Sequence, residues 1–481
     1  MRKRFGWIEN AALAGGIAAW LLMQTWRGLF AAFTPDDIMN MYWAWTEPLG
    51  RLMVANFIPF ASSSYRPLGA VIYRASFGVF GLQPFPLRVV IYALLVVNAW
   101  LVSRLASRLT GSREIAALAA FLMSYHPRLG DIYTNTGTIF DVLCCTFYAL
   151  TLLYYADCRT RGRLAGWNYA VLYLLITATL NSKEIGASLP VVLLAFEWIY
   201  FRPVAKWRAL ARWAARDLAA IWISAALTAF SIARKIGADS HFHGIPDYKL
   251  RLSLAQYFET TGKFLRELFC VAHPLPPAAV IGVFGVLIAI ALIARRKYIW
   301  FCVAFILAGP LPVNFIVSRS LFAIYVVLMA WSILAAGLLV EARDWLYARV
   351  WKRPPLPPDT WEPERVFLFL AVALTLGNVS AHNARIDWNG SLASKSLIHA
   401  SIGGLRGMHL KPAKNDRILL VDDRFTKDDW IPVLLLRMIF RNPELSVDRA
   451  KWMNQIPNAG DYKYVVDWAR DRVVQAQSPN S

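Results

Sequence analysis

The chain has 481 residues, a length that suits two or three soluble domains, but 57% of them are hydrophobic and only 17% are charged. Soluble domains carry about 45–50% apolar and about 25% charged residues, so the composition excludes a purely aqueous protein and points to a bilayer. A net charge of +20 would suggest nucleic acid in a soluble chain; here it predicts basic loops gathered on the cytoplasmic side. Cys144, Cys145, Cys158, Cys270 and Cys302 show neither metal-ligand nor disulfide spacing, which argues against a zinc site and a disulfide framework.

After Met1-Arg2-Lys3-Arg4 an apolar run extends from about Ile8 to Phe33. It exceeds the ~7–15-residue core of a secretory signal and no small-residue cleavage site closes it, so it reads as a retained first helix. Further runs lie near 87–103, 114–127, 138–157, 167–181, 186–201, 215–235, 277–294, 298–316, 319–340 and 365–380, giving about eleven expected spans. Basic residues alternate between loops: Arg104, Arg108 and Arg113; Arg159, Arg161 and Arg163; Arg202 to Arg216; Arg295 to Lys297; and Arg343 to Arg353. This positive-inside pattern puts the N-terminus inside, and an odd span count puts the C-terminus outside. Pro354, Pro355, Pro357, Pro358 and Pro363 mark a stiff inside linker. Beyond Ser380 the chain turns polar, with Ile418–Val421 reading as a buried strand, Trp430–Phe440 as a helix and Tyr462–Trp468 as another strand. The expected fold is an all-α polytopic membrane protein over residues 1–380 with a small extracytoplasmic α/β domain over 381–481.

The outer loops hold the chemistry. Asp36 and Asp37 follow the first span directly, and paired carboxylates there suit general-base work; the same two residues also suit a helix cap. Ser64-Tyr65-Arg66-Pro67-Leu68 offers a guanidinium fork fit for phosphate or carboxylate, or for an interfacial anchor. The next outer loop carries His126-Pro127-Arg128 and Asp131, with Asp141 opening the following helix, and a short loop carries Lys183-Glu184. Lys183 and Glu184 suit a neutralised structural pair as well as a phosphate site. His241-Phe242-His243 is more in keeping with a surface turn than with a metal.

In order and spacing these stretches resemble the GT-C superfamily of integral-membrane glycosyltransferases, in its protein O-mannosyltransferase-like branch. The match is carried by Asp36-Asp37; Ser64-Tyr65-Arg66-Pro67-Leu68 with Pro84 to Arg104; His126-Pro127 with Asp131 and Asp141; and Ser182-Lys183-Glu184 running into Leu189-Pro190-Val191-Val192-Leu193-Leu194. It covers about residues 30–200. The chain departs from the family in having Asp131 for the usual Glu and Ile139 for a frequent basic residue, and in lacking a tetratricopeptide array.

The resemblance implies inverting transfer of a sugar from a polyprenyl-phosphate-linked donor to a hydroxyl of a protein Ser/Thr, glycolipid or cell-envelope glycan. It assigns Asp36 or Asp37 as base, with Asp36 favoured, and Arg66, Lys183 and Arg128 to the donor phosphate. Tyr65, His126, Asp131, Asp141 and Glu184 would support these groups or bind sugar. No cofactor is called for, although some relatives use a divalent metal, and the partners are the lipid-linked donor, the bilayer and the acceptor, with no nucleic acid. Bacterial-type members place such a protein in the inner (cytoplasmic) membrane with the C-terminal domain outside. A flippase would instead show mid-span charges and repeat symmetry, and a non-catalytic scaffold would leave the acidic pair idle. Reporter fusions after Arg104, Ser240 and Arg424 are expected to read inside, outside and outside; an inside signal at Arg424 contradicts the topology.

Overall fold

A computed structural model describes residues 6–58, 66–162, 164–202, 207–236, 249–350, 352, 362–383, 391, 396–453 and 458–476. Its α-helices begin with α1 (Trp7–Thr25), α2 (Pro35–Thr46), α3 (Leu49–Phe57), α4 (Pro67–Phe80), α5 (Pro84–Thr110), α6 (Arg113–Ser124) and α7 (Gly130–Thr134). There follow α8 (Ile139–Arg161), α9 (Gly166–Leu180), α10 (Leu189–Phe201), α11 (Trp207–Arg212), α12 (Ala219–Ile236), α13 (Leu254–Leu268) and α14 (Pro277–Ala294). The last six are α15 (Lys297–Ala308), α16 (Leu311–Asn314), α17 (Leu328–Arg349), α18 (Pro363–Asn383), α19 (Leu397–Gly407) and α20 (Ile431–Ile439). Proline opens α2, α4, α5 and α14 at the first turn, where its missing N–H costs nothing. Gly111, in the left-handed region at φ 74°, closes α5.

Among the described residues, seven segments are long and apolar enough to cross a membrane: Pro84–Thr110, Thr136–Arg161, Glu184–Phe201, Pro277–Ala294, Lys297–Asn314, Leu321–Arg349 and Pro363–Asn383. An eighth arises if Trp207–Asp217 and Ala219–Ala233, bent by 58°, make one broken span. Seven or eight of the roughly eleven expected spans are matched in this way, and the remaining three fall on α1, α6 and α9, which do not reach that length and apolarity. Helix α1 carries Glu9, Asn10 and Gln24 among its 19 residues. Helices α6 and α9 have 12 and 15 residues. They are about 18 and 22 Å long against a hydrocarbon core of about 30 Å. Helix α6 packs on α5 and α17 and is protein core along most of its length. In contrast, protein covers only 17% and 6% of the apolar stretches of α14 and α18, leaving side chains such as Ile293, Phe367 and Leu374 for lipid.

The helical part has two chemically distinct ends. At one, the loop arginines meet acids: Arg113 with Glu9 (3.0 Å), Arg108 with Asp157 (2.8 Å), Arg159 with the buried Glu197, and Arg343 and Arg365 with Glu114. Helices α5 and α8 both run from the opposite end toward this one, so the candidate residues at or just before their starts lie far from the basic cluster. All five cysteines are free, and Cys144, Cys145 and Cys302 are buried.

The C-terminal part contains a four-stranded sheet of β1 (Arg417–Asp422), β2 (Ser446–Arg449), β3 (Tyr464–Asp467) and β4 (Arg472–Ala476), in the order β2-β1-β3-β4. Strand β1 pairs parallel with β2 and β3, with Leu419 opposite Asp448 and Val465, and β3 pairs antiparallel with β4. The expected strand at Ile418–Val421, helix at Trp430–Phe440 and strand at Tyr462–Trp468 are β1, α20 and β3. Strands β2 and β4 fall where the sequence shows no apolar alternation long enough to mark them.

Under the sheet edge, Arg449 and Asp423 form a fully buried, two-pronged ion pair with both N···O distances at 2.9 Å, and Arg449 also donates to the carbonyls of Thr426 and Lys427. Just before α20, Asp429 accepts from Ile431 N at 2.9 Å. Breaking a buried pair strands the surviving charge, so Asp423→Ala is expected to destabilise this unit by about 3–5 kcal/mol. Limited proteolysis of the full chain checks it: cleavage should accelerate within residues 396–476 and not in the helical part.

Candidate functional site

Thr34 and Asp37 form a capping box at the start of α2. Asp37 is fully buried: its Oδ2 accepts from Thr34 N (2.8 Å) and Thr34 Oγ1 (3.0 Å), and its Oδ1 from the Tyr73 hydroxyl (2.8 Å). Asp36, one residue earlier, is exposed and makes no hydrogen bond or ion pair among the described residues. Both acids stand in the first turn, where the helix dipole favours negative charge.

The expected phosphate-binding cations divide in the same way. Arg66 grips Glu184 with two N–H groups, at 2.9 and 3.4 Å, and Lys183 Nζ lies 3.0 Å from Asp141, whose carboxylate is almost wholly buried. Phe140 joins these pairs to the acidic loop. The Arg66 guanidinium lies 5.0 Å over its ring, the Tyr73 ring is 6.0 Å away, and Asp141 is the next residue. Helix α4 approaches so closely that a Cβ on Gly69 would stand 2.2 Å from the Phe140 ring. Asp37, Arg66, Asp141, Lys183 and Glu184 therefore belong to one contact network.

Arg128 has no such partner. Its side chain makes no hydrogen bond or ion pair among the described residues, and its Nε is buried. Its backbone N–H donates to His126 Nδ1 at 3.2 Å, and His126 Nε2 donates to the Leu268 carbonyl at 3.0 Å. Both ring nitrogens are thus committed to a neutral imidazole, and His126 ties the Arg128 loop to the end of α13. Burial pushes the His126 pKa down to about 4; the Leu268 bond opposes that and nearby Arg128 adds to it.

Asp131, on α7, opens onto a cavity of about 390 Å³. The residue is exposed, yet desolvation by the surrounding protein raises its pKa above the usual range, offset in part by a hydrogen bond from Ser320. Phe33, Thr34 and Pro35 form one side of this cavity, Thr134 and Asn135 a second, and Phe425 and Asp429 of the C-terminal unit a third. That unit sits on α2 and α4: Arg437 donates to the Tyr42 hydroxyl (3.1 Å), Arg441 covers the Phe77 ring (5.6 Å), and Ala32 N donates to the Ser391 carbonyl (3.0 Å).

Tyr65 and His241-Phe242-His243 lie outside the described residues. Among the described residues no group of three His, Cys, Asp or Glu side chains is placed to hold a metal ion. Tyr73, Arg88 and Phe140 were not singled out by their spacing. Arg88 did carry a signal, as a lone cation near the start of a long apolar run.

Residues 64–232 match the family described as dolichyl-phosphate-mannose-protein mannosyltransferase. No curated protein matches the chain. Among solved structures, ArnT from Cupriavidus metallidurans in the apo state superposes with a TM-score of 0.50 at 14% identity, over 92% of this chain and 85% of that one. AglB, an archaeal oligosaccharyltransferase from Archaeoglobus fulgidus, also gives 0.50, at 13% identity over 92% of this chain and 65% of that one.

His126 makes stability depend on pH. The unfolded chain takes up its proton near pH 6.5, while the folded protein does so only near 4. The contribution is therefore complete above about pH 6.5 and lost as the pH falls between those values, by roughly 2–3 kcal/mol. Thermal melts of the detergent-purified protein at pH 7.5 and 5 should show the drop, and His126→Gln, which cannot titrate, should flatten it.

Proposed function

For a chain with the GT-C fold and a mannosyltransferase-like segment at 64–232, we propose inverting transfer of a hexose from a polyprenyl-phosphate carrier to an acceptor hydroxyl. The observation that carries this reading is the division within the acidic pair. Asp37 is saturated by Thr34 and Tyr73, which fixes the start of α2 and leaves Asp36 as the open carboxylate beside the cavity residues Thr34 and Pro35.

In this mechanism Asp36 takes the proton of the acceptor hydroxyl as its oxygen bonds to the anomeric carbon from the face opposite the phosphate. The bond between that carbon and the phosphate oxygen breaks, its electron pair leaves with the polyprenyl phosphate, and the configuration inverts. Arg128 meets the developing phosphate charge, since its guanidinium has no competing acid among the described residues. Arg66 gives a second cationic position, where the donor phosphate competes with Glu184 for the same fork. The step balances without a cofactor.

On this reading the basic end of the helices faces the cytoplasm and the cavity the outer face of a bacterial inner membrane, an orientation that the positive-inside distribution of loop charges supports. Phe425 and Asp429, reaching the cavity from the C-terminal unit, would position the acceptor, either a protein Ser/Thr or an envelope glycan. The AglB structure contains a dolichol-phosphate and an inhibitory peptide; a polyprenyl phosphate and a hydroxyl-bearing acceptor are the corresponding ligands proposed here.

The test uses the full chain in nanodiscs with polyprenyl-phosphate mannose and a soluble alcohol, measuring released polyprenyl phosphate. Asp36→Asn should lower turnover by about 10²–10⁴-fold while donor binding is kept. Arg128→Ala should weaken donor binding about tenfold or more, the loss of a charge-assisted contact. Full turnover in the first variant and unchanged binding in the second would reject the mechanism.

A further inference from the structure

We propose that Arg88 and Tyr92, one turn apart on α5, are positioning residues that clamp the loop bearing the acidic pair onto the loop bearing Asp131. Tyr92 donates its hydroxyl proton toward two carbonyls, Thr25 O at 2.7 Å and Tyr133 O at 3.4 Å. Arg88 repeats the bridge one turn away, its Nη2 donating to Ala32 O at 2.9 Å and to Thr134 O. Each side chain joins one carbonyl before α2 to one carbonyl of α7, and the α7 carbonyls belong to consecutive residues. Ala32 and Thr134 both line the cavity.

The approach of the two loops leaves no slack. A Cβ on Gly28 would fall 2.2 Å from Tyr133 O and 2.3 Å from the Tyr92 hydroxyl, so only glycine fits beneath the Tyr92 rung. Thr34 Oγ1 and Asn135 Oδ1, 3.3 Å apart, extend the seam to the residue that caps α2.

Arg88 is an expensive way to fill this position. It is fully buried, it forms no ion pair among the described residues, and its Nε and Nη1 have no hydrogen-bond partner. An apolar side chain of similar size would avoid that desolvation cost. What an apolar side chain cannot do is hold two carbonyls at once while presenting positive charge to Asp37, whose field Arg88 feels. The clamp thus fixes the distance between Asp36 on one loop and Arg128 and Asp131 on the other.

The catalytic part of this inference rests on the glycosyl-transfer reading; the structural part does not, and the experiment separates them. Hydrogen exchange of the full chain in nanodiscs is measured alongside release of polyprenyl phosphate. In Arg88→Met and Tyr92→Phe, amides of α7 and of the first turn of α2 should exchange about tenfold faster, with α8 unchanged. In the same variants kcat should fall about 10–100-fold with the donor and acceptor KM within about twofold of wild type, because groups are misplaced without being removed. Arg88→Lys, which keeps the charge and N–H donors on a shorter, non-planar head, should recover part of kcat. If Arg88→Met fails to fold, Tyr92→Phe, which keeps the ring and its packing, decides alone. Unaltered exchange in both loops overturns the clamp; faster exchange with unaltered kcat overturns its catalytic role. A wild-type protein without transfer activity rejects the glycosyl-transfer reading while the exchange result still decides whether the clamp exists.

Discussion

An ionised side chain in a low-dielectric slab must find an opposite charge or a set of dipoles, and that requirement organises this molecule. At the basic end, Arg108, Arg113, Arg159 and Arg343 each meet an acid on another helix, so the pairs that neutralise the loops also tie α1, α5, α6, α8, α10 and α17 together. At the other end Lys183 and Arg66 are neutralised in the same manner by Asp141 and Glu184. Against that background, an unpaired charge stands out as a departure from the rule. Among the described residues, Asp36 and Arg128 are candidate side chains with neither a hydrogen bond nor an ion pair, one negative and one positive, as a reaction that moves a proton and releases a phosphate would need.

The acidic pair shows how a local rule divides two identical residues. Successive positions on a helix point about 100° apart, so Asp36 and Asp37 cannot serve one direction together. The capping box selects the third helical position, and Tyr73 confirms the choice by donating from α4. What is left for Asp36 is set by elimination. In the proposed reaction, structure-building and chemistry therefore do not compete for the same carboxylate, and the group that fixes the start of α2 is adjacent to the proposed base.

Much of this was readable from the chain, and the reasons differ for what was not. Strand β1, α20 and β3 announce themselves by apolar runs with polar boundaries, and the acidic pair, the Arg66 fork and the Lys183-Glu184 loop by position beside apolar runs. Span number is less legible, because composition does not say where a helix ends: α6 and α9 are apolar, yet have only 12 and 15 residues. The pairing of Arg66 with Glu184 spans 118 residues and that of Lys183 with Asp141 spans 42, separations at which no periodicity speaks. Arg88 is hard to read from the chain because a single cation scarcely alters the hydropathy of a 27-residue helix.

Helix α18 has a consequence of its own. Protein covers only 6% of its apolar stretch; Arg365 meets Glu114 near one end, Ser380 meets Tyr125 near the other, and Phe369 touches Phe121 between them. It lends little to the core and nothing to the Phe140 network. It behaves as a tether that carries the chain across the membrane thickness and delivers the C-terminal unit, which then finds its own seat through Arg437 and Arg441 on α2 and α4. The architecture is therefore modular in an evolutionary sense: a different terminal unit, hung from the same tether, needs only a matching footprint on those two helices to put a new surface beside the same cavity.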